Sequence, residues 1–351
     1  MKRYFIIADL MGSGTYNDLN NMFKMLRLQD TIIDCVWEYE TFENKFHGWD
    51  LDGKLAIIAF ASLTHENKNE IVTRLEKLKG LGFKFAVDLK WEGAVNGTNI
   101  LKSNDVYNEL SEQYDLGIIS GAVNEQCMYL PWFWYYLYTK HKGKNYHFNH
   151  SFKTFDFLYL NKQQRYHRDM LFDTITDRGL LNNSLYSYHD RNIELNKKYE
   201  FKQFQDKSYP RYGMDQDIFE LPYNDSAVSI VCETSVSDKE VFITEKIYKA
   251  IIAGHVFVLL GNPGTLQKLN DQGFLDLPGV DTSYDQTTNL EKRITSVTNL
   301  CEELKNMDYG TLYTATEAIR NQNRQNFFNE DNLSSELQKG WLTFLEFINR
   351  S

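Results

Sequence analysis

Val228-Ser-Ile-Val-Cys-Glu-Thr-Ser-Val-Ser-Asp-Lys-Glu-Val-Phe-Ile-Thr-Glu-Lys-Ile-Tyr-Lys-Ala-Ile-Ile-Ala-Gly254, continued by His255-Val-Phe-Val-Leu-Leu-Gly261, holds three elements in 34 residues. Ala227 to Cys232 is a short apolar run, the pattern of a strand covered on both faces. Thr244 places a hydroxyl at the head of an apolar-periodic run and Gly254 ends it, which predicts a helix over 244–253. His255 to Leu260 is a second apolar strand. Two buried strands joined through a helix make a parallel unit, because only a crossover of that length returns the chain to the same edge.

The unit recurs on both sides. Upstream, Thr154 to Leu160 is a strand, and the helix after it closes at Gly179. Earlier still come a strand over Tyr4 to Asp9, a Gly12-Ser-Gly14 turn and a helix over about 18–28. They are followed by a strand over Lys54 to Phe60, a helix over Glu66 to Lys79, a strand over Phe83 to Asp88 and a strand over Tyr114 to Ser120. Pro131 opens an aromatic helix running to Tyr138. Residues 139–153 are polar, basic and His-rich; they read as an interdomain linker in which His141, His147 and His150 are solvated. Residues 190–226 show little periodicity and read as an insertion or loop. The expected fold class is α/β, with two Rossmann-like doubly wound domains facing a cleft. Residues 1–145 form the acceptor-side domain and 152–332 the nucleotide-sugar-binding one, and a helix over 333–351 returns toward the first.

The bulk properties narrow the class of partner. Lys+Arg minus Asp+Glu is 38 − 48 = −10 over 351 residues, which disfavours a chain that coats nucleic acid or an anionic membrane. Four cysteines without a CxxC pair support neither a disulfide framework nor a thiolate zinc site. No apolar run is long enough to span a membrane, and the first is too short for a secretory signal, so a cytoplasmic protein is expected.

The chemistry concentrates where strands end. Glu233 follows the strand over 227–232, which puts its carboxylate at the carboxyl edge of the sheet. With Thr244 as N-cap, Glu245 and Lys246 stand in the first helical turn, beside unpaired N–H groups and the positive end of the helix dipole. Such a site suits a phosphate, with Lys246 as point charge and Glu245 as acceptor for ribose hydroxyls. Arg165 and Arg168 follow the strand over 154–160 and open the next helix, where two guanidinium forks can hold phosphate oxygens. Taken together, these sites predict a nucleotide diphosphate.

The elements Glu233-Thr-Ser, Phe242-Ile-Thr-Glu-Lys246, Ala253-Gly254 and Val256-Phe-Val-Leu-Leu-Gly261 resemble the sugar-donor-binding segment of the α-1,3-fucosyltransferase family. Cys232 and Thr234 stand where that family carries an aromatic residue and an asparagine, and the first half of the chain holds no motif that aligns. The resemblance implies the two-domain GT-B fold and a sugar nucleotide, GDP-linked in most members. It places Glu245 at the ribose, Lys246 at the diphosphate, Glu233 at the sugar or ribose, and an arginine of the 165–168 group at the leaving phosphate.

Transfer from such a compound passes through an oxocarbenium-like state and releases a diphosphate whose charge must be neutralised. No paired-Asp element stands at a strand end, Asp215-Gln-Asp217 lying in the unpatterned stretch. Lys246 and the arginines take the place of an ion, so no metal or other cofactor is expected beyond the sugar nucleotide. An inverting transfer also needs a base for the acceptor hydroxyl, and Glu92 is favoured over Asp88 among acids near strand ends of the first domain. The expected activity is an inverting, metal-independent glycosyl transfer of fucose or a related sugar to a carbohydrate hydroxyl. The alternatives are glycosylation of a modified base in DNA, through the basic stretch Lys140 to Lys144, and a non-catalytic sugar-nucleotide-binding protein.

Overall fold

The computed structural model describes residues 1–8, 15–36, 50–123, 127–197 and 217–349. Asp9, the Gly12-Ser-Gly14 turn, Asp215 and much of the 190–226 stretch lie outside the described residues. The chain is α/β, built on parallel sheets, and divides into two compact units: Met1–Tyr135 with Leu333–Ser351, and Tyr136–Asn332.

The first unit contains β1 (Lys2–Ala8), α1 (Thr15–Met25), β2 (Thr31–Val36), β3 (Gly53–Ala59), α2 (Lys68–Gly80), β4 (Lys84–Leu89), α3 (Ala94–Lys102), α4 (Asp105–Gln113) and β5 (Leu116–Ser120). The short β6 (Ala122–Val123) and β7 (Met128–Tyr129) follow, and α5 (Trp132–His141) carries the chain across the division. The sheet runs β2-β1-β3-β4-β5-β7 with every pair parallel. Tyr4 to Ala8 and Leu55 to Ala59 are buried throughout, as apolar runs in a parallel sheet must be. Ile71, Leu75 and Leu78 of α2 pack with Phe5, Ile58 and Val87 of the strands in one core. β2, a half-buried edge strand interrupted by Asp34, was not anticipated.

The second unit contains β8 (Phe155–Asn161), α6 (Tyr166–Asp177), β9 (Ser184–Tyr188), α7 (Glu220–Asp225), β10 (Ser226–Cys232), the short β11 (Val241–Phe242), α8 (Glu245–Ile252) and β12 (Val256–Leu260). Three helices follow: α9 (Thr265–Asp271), α10 (Leu290–Lys305) and α11 (Tyr309–Phe327). Its parallel sheet runs β12-β10-β8-β9. The crossover from β8 to β9 therefore moves one way along the sheet and that from β10 to β12 the other. Right-handed crossovers then place α6 and α8 on opposite faces, and the chain parts between the carboxyl ends of β8 and β10. Ile247, Tyr248 and Ile251 bury the inner face of α8. Gly254 ends it at φ +59, a conformation that strains any residue with a Cβ, and its N–H donates to Ile251 O at 2.9 Å.

Residues 139–153 are not the solvated linker their composition suggested. His141 is fully buried, with Nδ1 against the Tyr146 hydroxyl. Tyr146 stacks on Phe148 at 5.6 Å, Phe148 on His150 at 6.4 Å, and His150 on Tyr313 of α11 at 4.9 Å. Along 146–150 burial alternates residue by residue. Residues 146, 148 and 150 are all rings that turn inward, while His147 stays exposed.

The last helix, α12 (Glu330–Asn349), belongs to the first unit from Leu333 onward. Trp341 meets Tyr4 edge to face at 5.3 Å and Phe23 at 5.5 Å. Ser334 Oγ donates to Met25 O at 2.7 Å and Gln338 Nε2 to Leu26 O at 2.7 Å, satisfying carbonyls left open at the end of α1. Gly340 lies so near β7 that a Cβ there would stand 2.2 Å from Tyr129 O.

Candidate functional site

β10 delivers Glu233 into the interior at the carboxyl edge of the second unit's sheet, where it is completely buried. Its carboxylate accepts from Thr244 N at 3.2 Å and from the Thr244 hydroxyl. Thr244 does occupy the N-cap position of α8, in extended geometry, but its side chain turns to Glu233 and leaves the helix N–H groups uncapped. Lys246 Nζ in turn donates to Thr244 Oγ1 at 3.0 Å, Thr234 Oγ1 at 3.1 Å and Glu245 Oε1 at 2.9 Å. A relay thus runs from the buried carboxylate through one hydroxyl to the ammonium.

α6 reaches the same point from the opposite face. Arg168, 3% exposed, donates to Gln163 O at 2.9 Å and Glu233 O at 3.3 Å, and His167 Nε2 donates to Glu233 O at 3.0 Å. Arg165 is half-buried at the N-cap of α6, with one terminal nitrogen donating to Gln163 Oε1 at 3.3 Å. Arg168 and Lys246 both lower the Cys232 thiol electrostatically, although burial dominates and pushes it up to about 12.

Burial raises the Glu233 carboxyl above its ordinary value, and the Lys246 ammonium opposes that rise. Glu245 goes the other way: burial alone would raise it, but Lys246 and then Lys249 bring it below the usual carboxylate range. Burial pulls His167 down to about 4, so the ring is neutral at pH 7.

A cavity of about 770 Å³ opens on the α8 side of this edge. Its walls include Asn161, Ser187, Asp190, Cys232, Glu245 and Lys246, over a floor of Leu158 and Ile230. The loop between Glu233 and Val241 is held by Asn262, from the Gly261-Asn-Pro-Gly264 turn whose sequence suggested a backbone approach to the sugar nucleotide, and by Arg293. Asn262 donates to Ser235 Oγ at 3.1 Å and Ser237 O at 2.9 Å, and accepts from Phe242 N at 3.0 Å. Arg293, 1% exposed, donates to Val236 O at 3.1 Å. The Gly261-Asn-Pro-Gly264 turn thus acts through the side chain of Asn262.

Of the predicted residues, the structure brings Arg165, Arg168, Glu233, Thr244, Glu245 and Lys246 into one neighbourhood, but with two kinds of duty. Glu245 and Lys246 reach the cavity. Glu233 and Arg168 are instead buried framework, 0% and 3% exposed, the carboxylate holding Thr244 and the guanidinium holding the main-chain carbonyls of Gln163 and Glu233. In the first unit, Asp88 is buried at the end of β4, where Lys90 donates from N at 3.0 Å and from Nζ. Its carboxylate is thus braced by the residue two positions on, at the buried end of the strand. Glu92 is half-buried in the turn after β4, its N–H donating to Leu89 O at 2.9 Å.

Among the described residues, no group of three His, Cys, Asp or Glu side chains is arranged to hold a metal ion, and no helix is long and apolar enough to cross a membrane. No protein-family model and no curated protein matches the chain.

Proposed function

We propose that the chain is a glycosyltransferase of the GT-B type. On this reading it is inverting and metal-independent, and moves fucose or a related sugar from a GDP-linked compound to a carbohydrate hydroxyl. What supports the reading is that Glu245 and Lys246 line a cavity at the carboxyl edge where β8 and β10 part, since open α/β sheets hold nucleotides at such a switch point. Lys246 and the first-turn N–H groups of α8 meet the diphosphate, and Glu245, kept ionised by two ammonium groups, accepts from ribose hydroxyls. Arg165 adds positive charge for the departing phosphate, while Arg168 and Glu233 hold the wall in place. Glu92 remains the acceptor-side base.

Glycosylation of DNA is the weaker reading, because its basic stretch is neutralised internally: Lys140 pairs with Asp217 at 3.0 Å and Lys142 with Glu330 at 2.5 Å. A thermal-shift panel of GDP-, UDP- and CMP-sugars against wild type and Lys246→Ala tests the proposal. A GDP-sugar should raise the melting temperature of wild type and lose that effect in the variant. Absence of any shift in wild type would sink the proposal.

A further inference from the structure

The inner end of α8 rests on a cluster of rings and cations that the proposed reaction leaves unused, all of it within the second unit. His150 Nε2 lies 3.1 Å from Ala253 O, and its Nδ1 lies 3.1 Å from Lys153 Nζ. A carbonyl accepts and an ammonium donates, so the ring is fixed as the Nε2–H tautomer with a lone pair on Nδ1. His255 is fixed the same way, Nε2 donating to Ser226 O at 2.7 Å and Nδ1 accepting from Ser229 Oγ at 2.8 Å. The two imidazoles stand 6.1 Å apart, and His150 stacks on Tyr313.

A second proton on His150 would set an N–H at Nδ1 against the N–H of Lys153, donor facing donor. The charges around the ring also oppose it. Lys153 lies 4.8 Å and Arg320 4.3 Å over the Tyr313 ring, and Arg324, next along α11, lies 5.4 Å over Phe148. Asp225 of α7, the carboxylate that acts on Lys153, is paired with Lys197 at 2.5 Å, and Glu220 and Glu317 act on Arg324 and Arg320. Burial first, then Lys153 and Arg320, hold His150 at about 3.

The cluster ties down several elements at once. Lys153 also donates to Tyr223 O at 2.9 Å and Asn224 O at 3.2 Å in α7, while His150 and Arg320 bind the carbonyls of Ala253 and Gly254 just past α8. Tyr223, whose ring is 5.4 Å from His255, and Ser229 are also walls of the 770 Å³ cavity.

We propose that His150 is a proton-operated latch: a proton on its ring breaks the bond from Lys153, frees residues 146–153 and α7, and loosens the cavity wall at Tyr223. The latch stands by itself; that its opening weakens nucleotide binding rests on the transferase reading. The ring titrates near 6.5 when free and about 3 when held, so opening takes up a proton and the open fraction rises as pH falls through that interval, by up to about tenfold per unit. Lys153, brought down to about 7 chiefly by burial, carries its proton in both forms below that value.

Hydrogen exchange of the full chain, read by mass spectrometry and corrected for intrinsic rates, tests the latch between pH 7 and pH 5. In wild type, opening of 146–153 and 220–226 should increase at least about fivefold while α10, in the same unit, keeps its protection. His150→Gln should change less than about twofold, and His147→Gln, at an exposed ring, should follow wild type. Should His150→Gln fail to fold, Lys153→Met, which lets the ring take its proton in place, stands in for it. The latch is overturned if wild-type protection at 146–153 is independent of pH, if α10 opens with it, or if the variant opens as steeply as wild type. Calorimetric titration with GDP at both pH values tests the coupling, and the variant carries whatever the phosphate's own titration contributes. Binding should weaken at least about threefold more in wild type than in the variant; equal weakening overturns the coupling. If 146–153 opens as expected and GDP binds at neither pH, the transferase reading fails and the latch stands. If GDP binds and protection stays flat, the latch alone fails.

Discussion

Glu233 shows how a buried charge can serve a site without touching a ligand. Thr244 N–H and hydroxyl satisfy it, and the same hydroxyl accepts from Lys246. Glu233→Ala strands those buried donors, a cost of about 1–3 kcal/mol, and releases the ammonium. It should lower the melting temperature and abolish the nucleotide-induced shift, whereas Glu233→Gln, which keeps an acceptor, should retain part of both. Equal behaviour of the two variants would contradict the relay. Buried histidines set the acid limit. Burial, as the largest cause, holds His150 at about 3 and His167 at about 4 and keeps His255 well below its ordinary value. Between about pH 6.5 and 4 the unfolded chain therefore takes up protons that the folded rings refuse, and stability falls as pH falls. Melting temperatures across that window should show a slope that His150→Gln makes shallower; an unchanged slope would count against a neutral, buried His150.

Two helices test how elements are fixed. α8 ends at Gly254 in a left-handed conformation, so Gly254→Ala should cost about 1 kcal/mol in urea unfolding, without loss of secondary structure. α12 depends on a close approach. A methyl group at Gly340 would collide with a main-chain oxygen that no rotamer change can move. Gly340→Ala should thus cost about 1–3 kcal/mol or more, as overpacking does. A urea midpoint equal to wild type would show that the helix does not lie against β7. These elements also separate what was legible from what was not. β10, α8 and β12 announce themselves through apolar runs, a cap hydroxyl and a terminal glycine. β2 did not, because its half-buried residues and Asp34 give no apolar run. The 146-148-150 stack was missed because the polar, basic and His-rich composition of 139–153 outweighed a short alternation.

At the scale of the whole molecule, the net charge of −10 and the internal pairing of Lys140 and Lys142 predict that duplex DNA is not bound at about 0.15 M salt, where charge-driven association is already weak. A saturable complex that tightens steeply at lower salt would revive the DNA reading.

Local pattern was enough to place most strands and helices, to mark the α/β class, and to gather Arg165, Arg168, Glu233, Thr244, Glu245 and Lys246 as one candidate site. Within each stretch these inferences use neighbours close in sequence, where periodicity and capping act, and 165–168 join 233–246 because both stretches follow strand ends. Which of the six reaches the cavity and which braces it was decided only in three dimensions. Burial depends on what packs from far along the chain, such as His167 and Arg168 on Glu233 across 66 and 65 positions and Asn262 on Ser235 across 27. The same holds for Asp88, buried and braced by Lys90, and for Trp91, left exposed while Trp132 and Phe133 pack against it.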